Sequence, residues 1–332
     1  MITVSQFESY VEGRGYHMFS SKDPRSFDEG EVGRIQTHML CSKTTQLLSV
    51  PKEDISALYS QYLQIKDPKP CLVERTKDLD FPLFFDVDFK LATFCKAQPQ
   101  TEEEIENKVE KIFDLNYTFG EGGAKQFFLD AKKVLLRVIE QVVKEVTSLP
   151  TVQLYISVRT CYKFHIHVPD LIVNEHIAQR LCSEIIDRWQ LDPEYQACPQ
   201  NPKEIVDPSV YKTGLRMLGG EKGRLTNAVS DRKDRKLHEL IFGDLDDYKL
   251  IYPTVVGYPN LTLEVLKKFS VRLIDEAKEV NVTIPRNWKS SSSPVQRIVS
   301  ENRAHTTPTT TNNNALVNEE EEMILNAVRP YV

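Results

Sequence analysis

The sequence predicts an α+β fold, with antiparallel strands and helices that cover one face of them. Three observations carry this. From about Ala124 to Thr147, the residues Phe128, Ala131, Leu135, Val138, Val142 and Val146 recur at helical spacing, the stripe of a long helix packed on a core. "VQLYISV" and "KFHIHV" alternate with period two and are separated only by "RTCY", a hairpin-like connection. The order of elements is neither a βαβαβα alternation nor a succession of strands alone.

Residues 1–70 mix short helical and extended patterns. Pro51 to Lys66 predicts a helix, because Ile55, Leu58, Tyr59, Tyr62 and Leu63 share one stripe. "CLVERT" and "FPLFFDVDF" read as strands. Thr101 to Phe113 predicts an acidic-faced helix ending near Asn116, and Gly120, Gly122 and Gly123 form a loop before the long helix. After "KFHIHV", Asn174 caps a helix carrying Ile177, Leu181, Ile185 and Trp189. "EIVDPSVY" and "GLRML" predict two short extended pieces around a turn. "KLIYPTVV" predicts a further strand, and Thr262 begins a last helix running to about Val280.

From Lys289 the composition shifts to Ser, Thr and Asn, with few apolar groups to offset the entropy of ordering, so 289–318 reads as a linker. "EEEEMILNAV", within 319–332, reads as the start of another helix. The expectation is one folded domain over 1–288 within a longer protein.

The chain has 332 residues, 40% of them hydrophobic and 27% charged, with a formal net charge of −6. That is ordinary globular composition. That acidic balance, taken by itself, argues against a nucleic-acid partner. From Lys203 to Lys236, however, nine Lys or Arg face five Asp or Glu, while Glu319 to Glu322 are consecutive near the end. A local basic segment suits a protein that meets phosphates at one place. Cys41, Cys71, Cys95, Cys161, Cys182 and Cys198 show no CxxC and no zinc-finger spacing, which predicts reduced thiols. "MITVSQFESY" is no signal peptide, and no run of about 18 apolar residues is present for a membrane span. An intracellular, non-secreted protein is expected. GxxxxGK[ST] occurs nowhere, which excludes a P-loop ATPase.

Three segments carry chemistry. On a strand, residues i and i+2 share a face, so in "FFDVDF" Asp86 and Asp88 project together, opposite Phe85, Val87 and Phe89. Two carboxylates roughly 6 Å apart repel by about 3 kcal/mol at an effective dielectric of 20. A divalent cation reverses that sign, since Mg²⁺ and Mn²⁺ take hard oxygen ligands. The alternative is an edge strand whose aspartates meet lysines or water. In "YKFHIHV", Lys163, His165 and His167 share a face and suit a triphosphate, or a His-x-His metal site, or one core and one exposed histidine. In "VDPSVYKTGLRMLGGEKGRL", Asp207 emerges at a strand end, Arg216 lies in a strand-like piece, and Lys222 and Arg224 follow a Gly-Gly turn. Alone this is a solvated basic hairpin; with the others it supplies a third carboxylate and cations for a polyphosphate. Three carboxylates and two cationic clusters are the parts of two-metal phosphoryl or nucleotidyl transfer.

In this order, the three segments resemble the archaeo-eukaryotic primase superfamily, nearest to the primase domains of large DNA-virus primase-helicases. "FFDVDF" resembles its first motif, "KFHIHV" its second (usually Lys-apolar-Ser-x-His) and "VDPSVY" its third. The likeness spans Glu74 to Arg224. It implies a two-part fold with an RRM-like antiparallel catalytic sheet flanked by helices, and two Mg²⁺ or Mn²⁺ ions held by Asp86, Asp88 and Asp207. It implies triphosphate binding by Lys163, His165, His167, Arg216 and Lys222, bordered by Ser157, Arg159, Tyr211 and Arg224.

The sequence departs from the family where His165 replaces the usual serine, in a short link between Tyr211 and Arg216, and in lacking a zinc module. The implied activity is a DNA primase-polymerase using NTPs or dNTPs on single-stranded DNA. The implied partner is a C-terminal helicase part, with the piece itself monomeric and, if viral, located in host cytoplasm or a replication site. A metal-dependent nuclease and a non-catalytic single-strand-binding module remain as alternatives.

Overall fold

The structure, a computed structural model, describes residues 1–18, 36–41, 45–66, 69–76, 79–94, 118–119, 122–147, 149–195, 198–220, 237–243, 254–255, 260–273, 282–285 and 288. The helix expected at Thr101 to Phe113, the linker over 289–318, the final helical segment, and Lys222 and Arg224 lie outside these residues.

Two antiparallel sheets organise the chain. The first joins β1 (His17–Met18), β2 (His38–Cys41), β3 (Thr45–Leu48), β4 (Cys71–Glu74) and β8 (Leu215–Arg216) in the order β1-β3-β2-β4-β8. Leu40, Leu48 and Leu72 pack there against α1 (Val4–Gly13) and α2 (Ile55–Leu63), whose Phe7, Leu58, Tyr59 and Tyr62 are buried. α1 begins where Thr3 and Gln6 form a reciprocal capping box.

The second sheet joins β5 (Phe81–Asp88), β7 (Lys163–Val173), β6 (Tyr155–Thr160) and β9 (Thr254–Val255) in the order β5-β7-β6-β9. The segment after α4 (Glu175–Leu191) returns along the free edge of β5 through an antiparallel Val87–Val206 bridge. With α3 (Gly123–Val146) between β5 and β6, the order is the βαββαβ of an RRM-type sheet. Its apolar face carries Phe85, Val87, Phe164 and Ile166, which bury against Phe128, Leu135 and Val142 of α3 and Leu181, Ile185 and Trp189 of α4. Phe89 closes this layer, with its ring 5.1 Å from Phe128 and 6.0 Å from Trp189. α3 and α4 thus cover one face, and the polar side chains of β5, β6 and β7 gather on the other. The fold is α+β.

Three elements differ from expectation. β7 runs to Val173 rather than Val168, because the β5–β7 pairing steps over residues 169–171 of β7 between Leu83 and Pro82 and resumes with Pro82 opposite Ile172 and Phe81 opposite Val173. Pro82 lacks an N–H and Pro169 sits in the shifted stretch, so a bulge accommodates both. "EIVDPSVY" is mostly two helical turns, not extended pieces. Asn201 caps α5 (Pro202–Ile205), with proline at its start, and α6 (Val210–Thr213) follows. Only Val206 makes a strand-like pair. The last helix, α7 (Leu263–Phe269), ends at Phe269 rather than near Val280. There Ser270 turns extended, and its hydroxyl and the Val271 N–H both donate to the buried Glu74 carboxylate. Among the described residues, no helix is long and apolar enough to cross a membrane.

Candidate active site

The open face of the second sheet collects the polar residues of three strands by register alone. Asp86 lies opposite His165, which lies opposite Ser157; Asp88 lies opposite Lys163, which lies opposite Thr160. His165 Nε2 is 3.4 Å from Asp86 Oδ1. Asp88 is held twice, by Lys163 Nζ at 3.2 Å from Oδ1 and Lys90 Nζ at 2.8 Å from Oδ2. Asp207 is set beside them by backbone: its N–H donates to the Asp86 carbonyl at 3.1 Å. Its own carboxylate accepts the Ser209 N–H at 2.8 Å, an Asx turn that starts α6. Tyr211, in that turn, donates its hydroxyl to the Phe84 carbonyl at 2.7 Å and stacks on Phe81, locking the Asp207 segment onto β5.

The first sheet contributes Arg216. It lies opposite Val73 in β8, is buried, and is near enough to Asp86 and Arg159 for their charges to act on it. Burial, and then Arg159, push its guanidinium below the ordinary value.

The two aspartates are electrostatically unlike. Burial, Asp88 and Asp207 push the Asp86 carboxyl up to about 7. Burial also acts to raise Asp88, but Lys163, Lys90 and Arg159 outweigh it and hold that carboxyl well below the usual range. Burial, and then His167, Arg216 and Arg159, keep His165 neutral far below its ordinary value. Burial alone lowers His167 to about 3. Each imidazole is therefore a neutral donor–acceptor at pH 7.

Several buried polar atoms have no hydrogen-bond partner among the described residues: Asp86 Oδ2, Ser157 Oγ, Thr160 Oγ1, His165 Nδ1 and His167 Nε2. Gathered on one sheet face, these atoms make a surface suited to a polar ligand, since buried polar groups are otherwise paired. Among the described residues, no three His, Cys, Asp or Glu side chains gather closely enough to hold one ion by themselves. The face offers separated carboxylate oxygens with cations and neutral imidazoles beside them. That donor set fits Mg²⁺ or Mn²⁺ completed by phosphate oxygens and water, because Mg²⁺ is commonly held by one or two carboxylates and its substrate.

Comparison with known families decides the classification. The family model described as the C962R protein N-terminal AEP domain, for archaeo-eukaryotic primase, matches residues 37–230, more than half of the chain. The chain belongs to the archaeo-eukaryotic primase family. A search of curated proteins gave no match. The matched span takes in both sheets except β1 and β9.

Within this primase-family domain, Asp86, Asp88, Lys163, His165, Ser157, Asp207, Arg159 and Arg216 come together. His167 stands one rung further along β7, opposite Phe84, and the Phe269 ring packs 4.7 Å from its imidazole. Tyr211 is fully buried behind the carboxylates, as a brace. Sequence reasoning missed two residues, Lys90 and Phe269. The signal for Lys90 was present, since it continues the i, i+2 alternation of Asp86 and Asp88. Phe269 had none, as its place depends on a helix far along the chain.

Proposed function

We propose that the chain is the catalytic part of a DNA-dependent primase-polymerase that makes and extends primers on single-stranded DNA. The observation that carries this is the rung order of the open face. Carboxylates on β5 and at Asp207 border a Lys163/His165 row, with Arg216 entering from the other sheet. Bound Mg²⁺ or Mn²⁺ would supply the charge that activates a primer hydroxyl and neutralises the departing pyrophosphate.

The chain's own residues do the rest. Asp86, Asp88 and Asp207 hold the ions. Lys163 and Arg216 meet phosphate oxygens, and Arg159 adds charge at the same end. His165, neutral and held through Nε2 on Asp86, leaves Nδ1 on the open face as a hydrogen-bond acceptor, suited to a nucleotide hydroxyl or bound water and not to a phosphate oxygen, which is where it parts from the usual serine. His167, beneath Phe269, binds further along the row. Lys222 and Arg224 would complete the grip on the triphosphate.

The test is incubation of the protein with a single-stranded template, labelled NTPs or dNTPs, and Mg²⁺ or Mn²⁺. Extension supports the reading, shortening of the template points to a nuclease instead, and neither points to a binding module. Asp86→Ala and Asp207→Ala are each expected to reduce synthesis by roughly a hundredfold or more. Full activity in either variant would rule out the metal assignment. Lys163→Ala is expected to raise the KM for nucleotide more than it lowers kcat.

A further inference from the structure

Lys90 stands among the three carboxylates yet belongs to none of the sequence motifs. It stands two residues past the end of β5, and its backbone N–H donates to the buried Gln200 side-chain oxygen at 2.9 Å, which fixes where its stem begins. Its ammonium lies 2.8 Å from Asp88 Oδ2, while Lys163 lies 3.2 Å from Oδ1, so each oxygen of Asp88 has its own lysine. The charges of Asp86 and Asp207 also bear on Lys90. The two lysines differ in freedom: the Lys90 side chain is 52% exposed and that of Lys163 13%.

We propose that Lys90 is a positioning residue that occupies the place of a divalent cation beside Asp88, and that the cation must displace it. This rests on the two-metal reading above. The physical reason is repulsion. An ion ligated by that carboxylate oxygen at about 2.0–2.1 Å would bring a double positive charge within a few ångströms of the ammonium already in contact with it, and the two cations repel. Lysine is a compact charge on a flexible stem and can move out to water, whereas Lys163 starts β7, flanked by β5 on one side and β6 on the other, and is largely buried. While it stays, Lys90 keeps three neighbouring carboxylates from repelling one another. When a nucleotide arrives with the ion, its phosphates give the displaced ammonium a new partner. Ion and nucleotide therefore bind cooperatively, and Lys90 sets the concentration at which the bare ion enters.

The experiment titrates Mn²⁺ into the 332-residue chain, following free Mn²⁺ by electron paramagnetic resonance, with and without dATP and without template. Lys90→Met is expected to bind Mn²⁺ roughly tenfold tighter than the wild type in the absence of dATP, with the gap narrowing when dATP is present. Lys90→Arg should stay near wild type. Thermal unfolding gives a second readout: Lys90→Met should melt below wild type in EDTA and recover fully in Mn²⁺. A purely structural lysine would lower the melting point equally in both.

Equal or weaker Mn²⁺ binding by Lys90→Met, or a melting deficit that Mn²⁺ does not remove, overturns the proposal. If that occurs while Asp88→Asn abolishes the binding seen in wild type, the two-metal reading stands without it. If no form binds Mn²⁺ even with dATP, the two-metal reading fails and the role of Lys90 fails with it.

Discussion

Asp86 shows at the scale of one residue how this site trades stability for readiness. Burial, Asp88 and Asp207 raise its carboxyl to about 7 from an ordinary 3.8. Because the folded value lies above the unfolded one, the folded chain holds the extra proton between those limits. Its stabilising effect is complete below about 4 and is lost as pH rises through 7. Asp86→Asn, which keeps the shape and removes the charge, should therefore stabilise the metal-free protein by an amount on the order of a few kcal/mol at pH 8. That gain should vanish near pH 4, as chemical denaturation at the two pH values would show. Much of the residue scale was legible in the sequence: strand parity puts Asp86 with Asp88 and Lys163 with His165, and parity needs no tertiary knowledge. What parity cannot supply is which strand lies opposite. The Asp86–His165 contact, and the burial that keeps both histidines neutral, follow from pairing across many residues of chain.

Among elements, the turn between α6 and β8 is the tightest joint. Gly214 has φ of +105°, and a Cβ there would collide with the Glu74 carbonyl of the neighbouring strand. Gly214→Ala should cost more than the few tenths of a kcal/mol of an ordinary surface change, on the order of 2 kcal/mol or greater, and weaken nucleotide binding through Arg216 two residues on. Its melting temperature and KM would register both effects. In the helical layer, Phe128 touches Phe89, Phe94 and Tyr162, so Phe128→Ala should lose about 3–5 kcal/mol by denaturant titration. The long helices were readable from their stripes, and Asn174 announced the start of α4. The short pieces around Asp207 were not. Their apolar residues suggest strands, but the Asn201 cap and the Asp207–Ser209 bond divert the backbone into turns.

Across the whole molecule, the first sheet and α7 are tied by a buried polar knot. Glu74 accepts the hydroxyls of Tyr59 and Ser270, and His38 sits between Thr37 and Tyr59 at 2.9 and 3.2 Å. Burial, with Arg272 adding to it, lowers His38 to about 3. The unfolded chain protonates this histidine near 6.5 and the folded chain does not. Its contribution to stability is therefore lost as pH falls from about 6.5 toward 3. Replacing His38 by Gln should flatten that part of the stability–pH curve. None of this knot was readable beforehand, since its members are spread from Thr37 to Ser270.

The register shift at Pro82/Leu83 has a bearing on how such a chain can change over generations. From Leu83 to Asp88 the pairing with β7 is unbroken, and a strand alternates its faces with every residue. One residue gained or lost between Leu83 and Asp86 would turn both aspartates into the helical layer and bring Phe85 and Phe89 out, and one between the aspartates would turn one of them. The same change upstream, where the pairing already skips, can be taken up by the bulge. Length variation in relatives of this chain should accordingly cluster before Leu83 and be absent between Leu83 and Asp88.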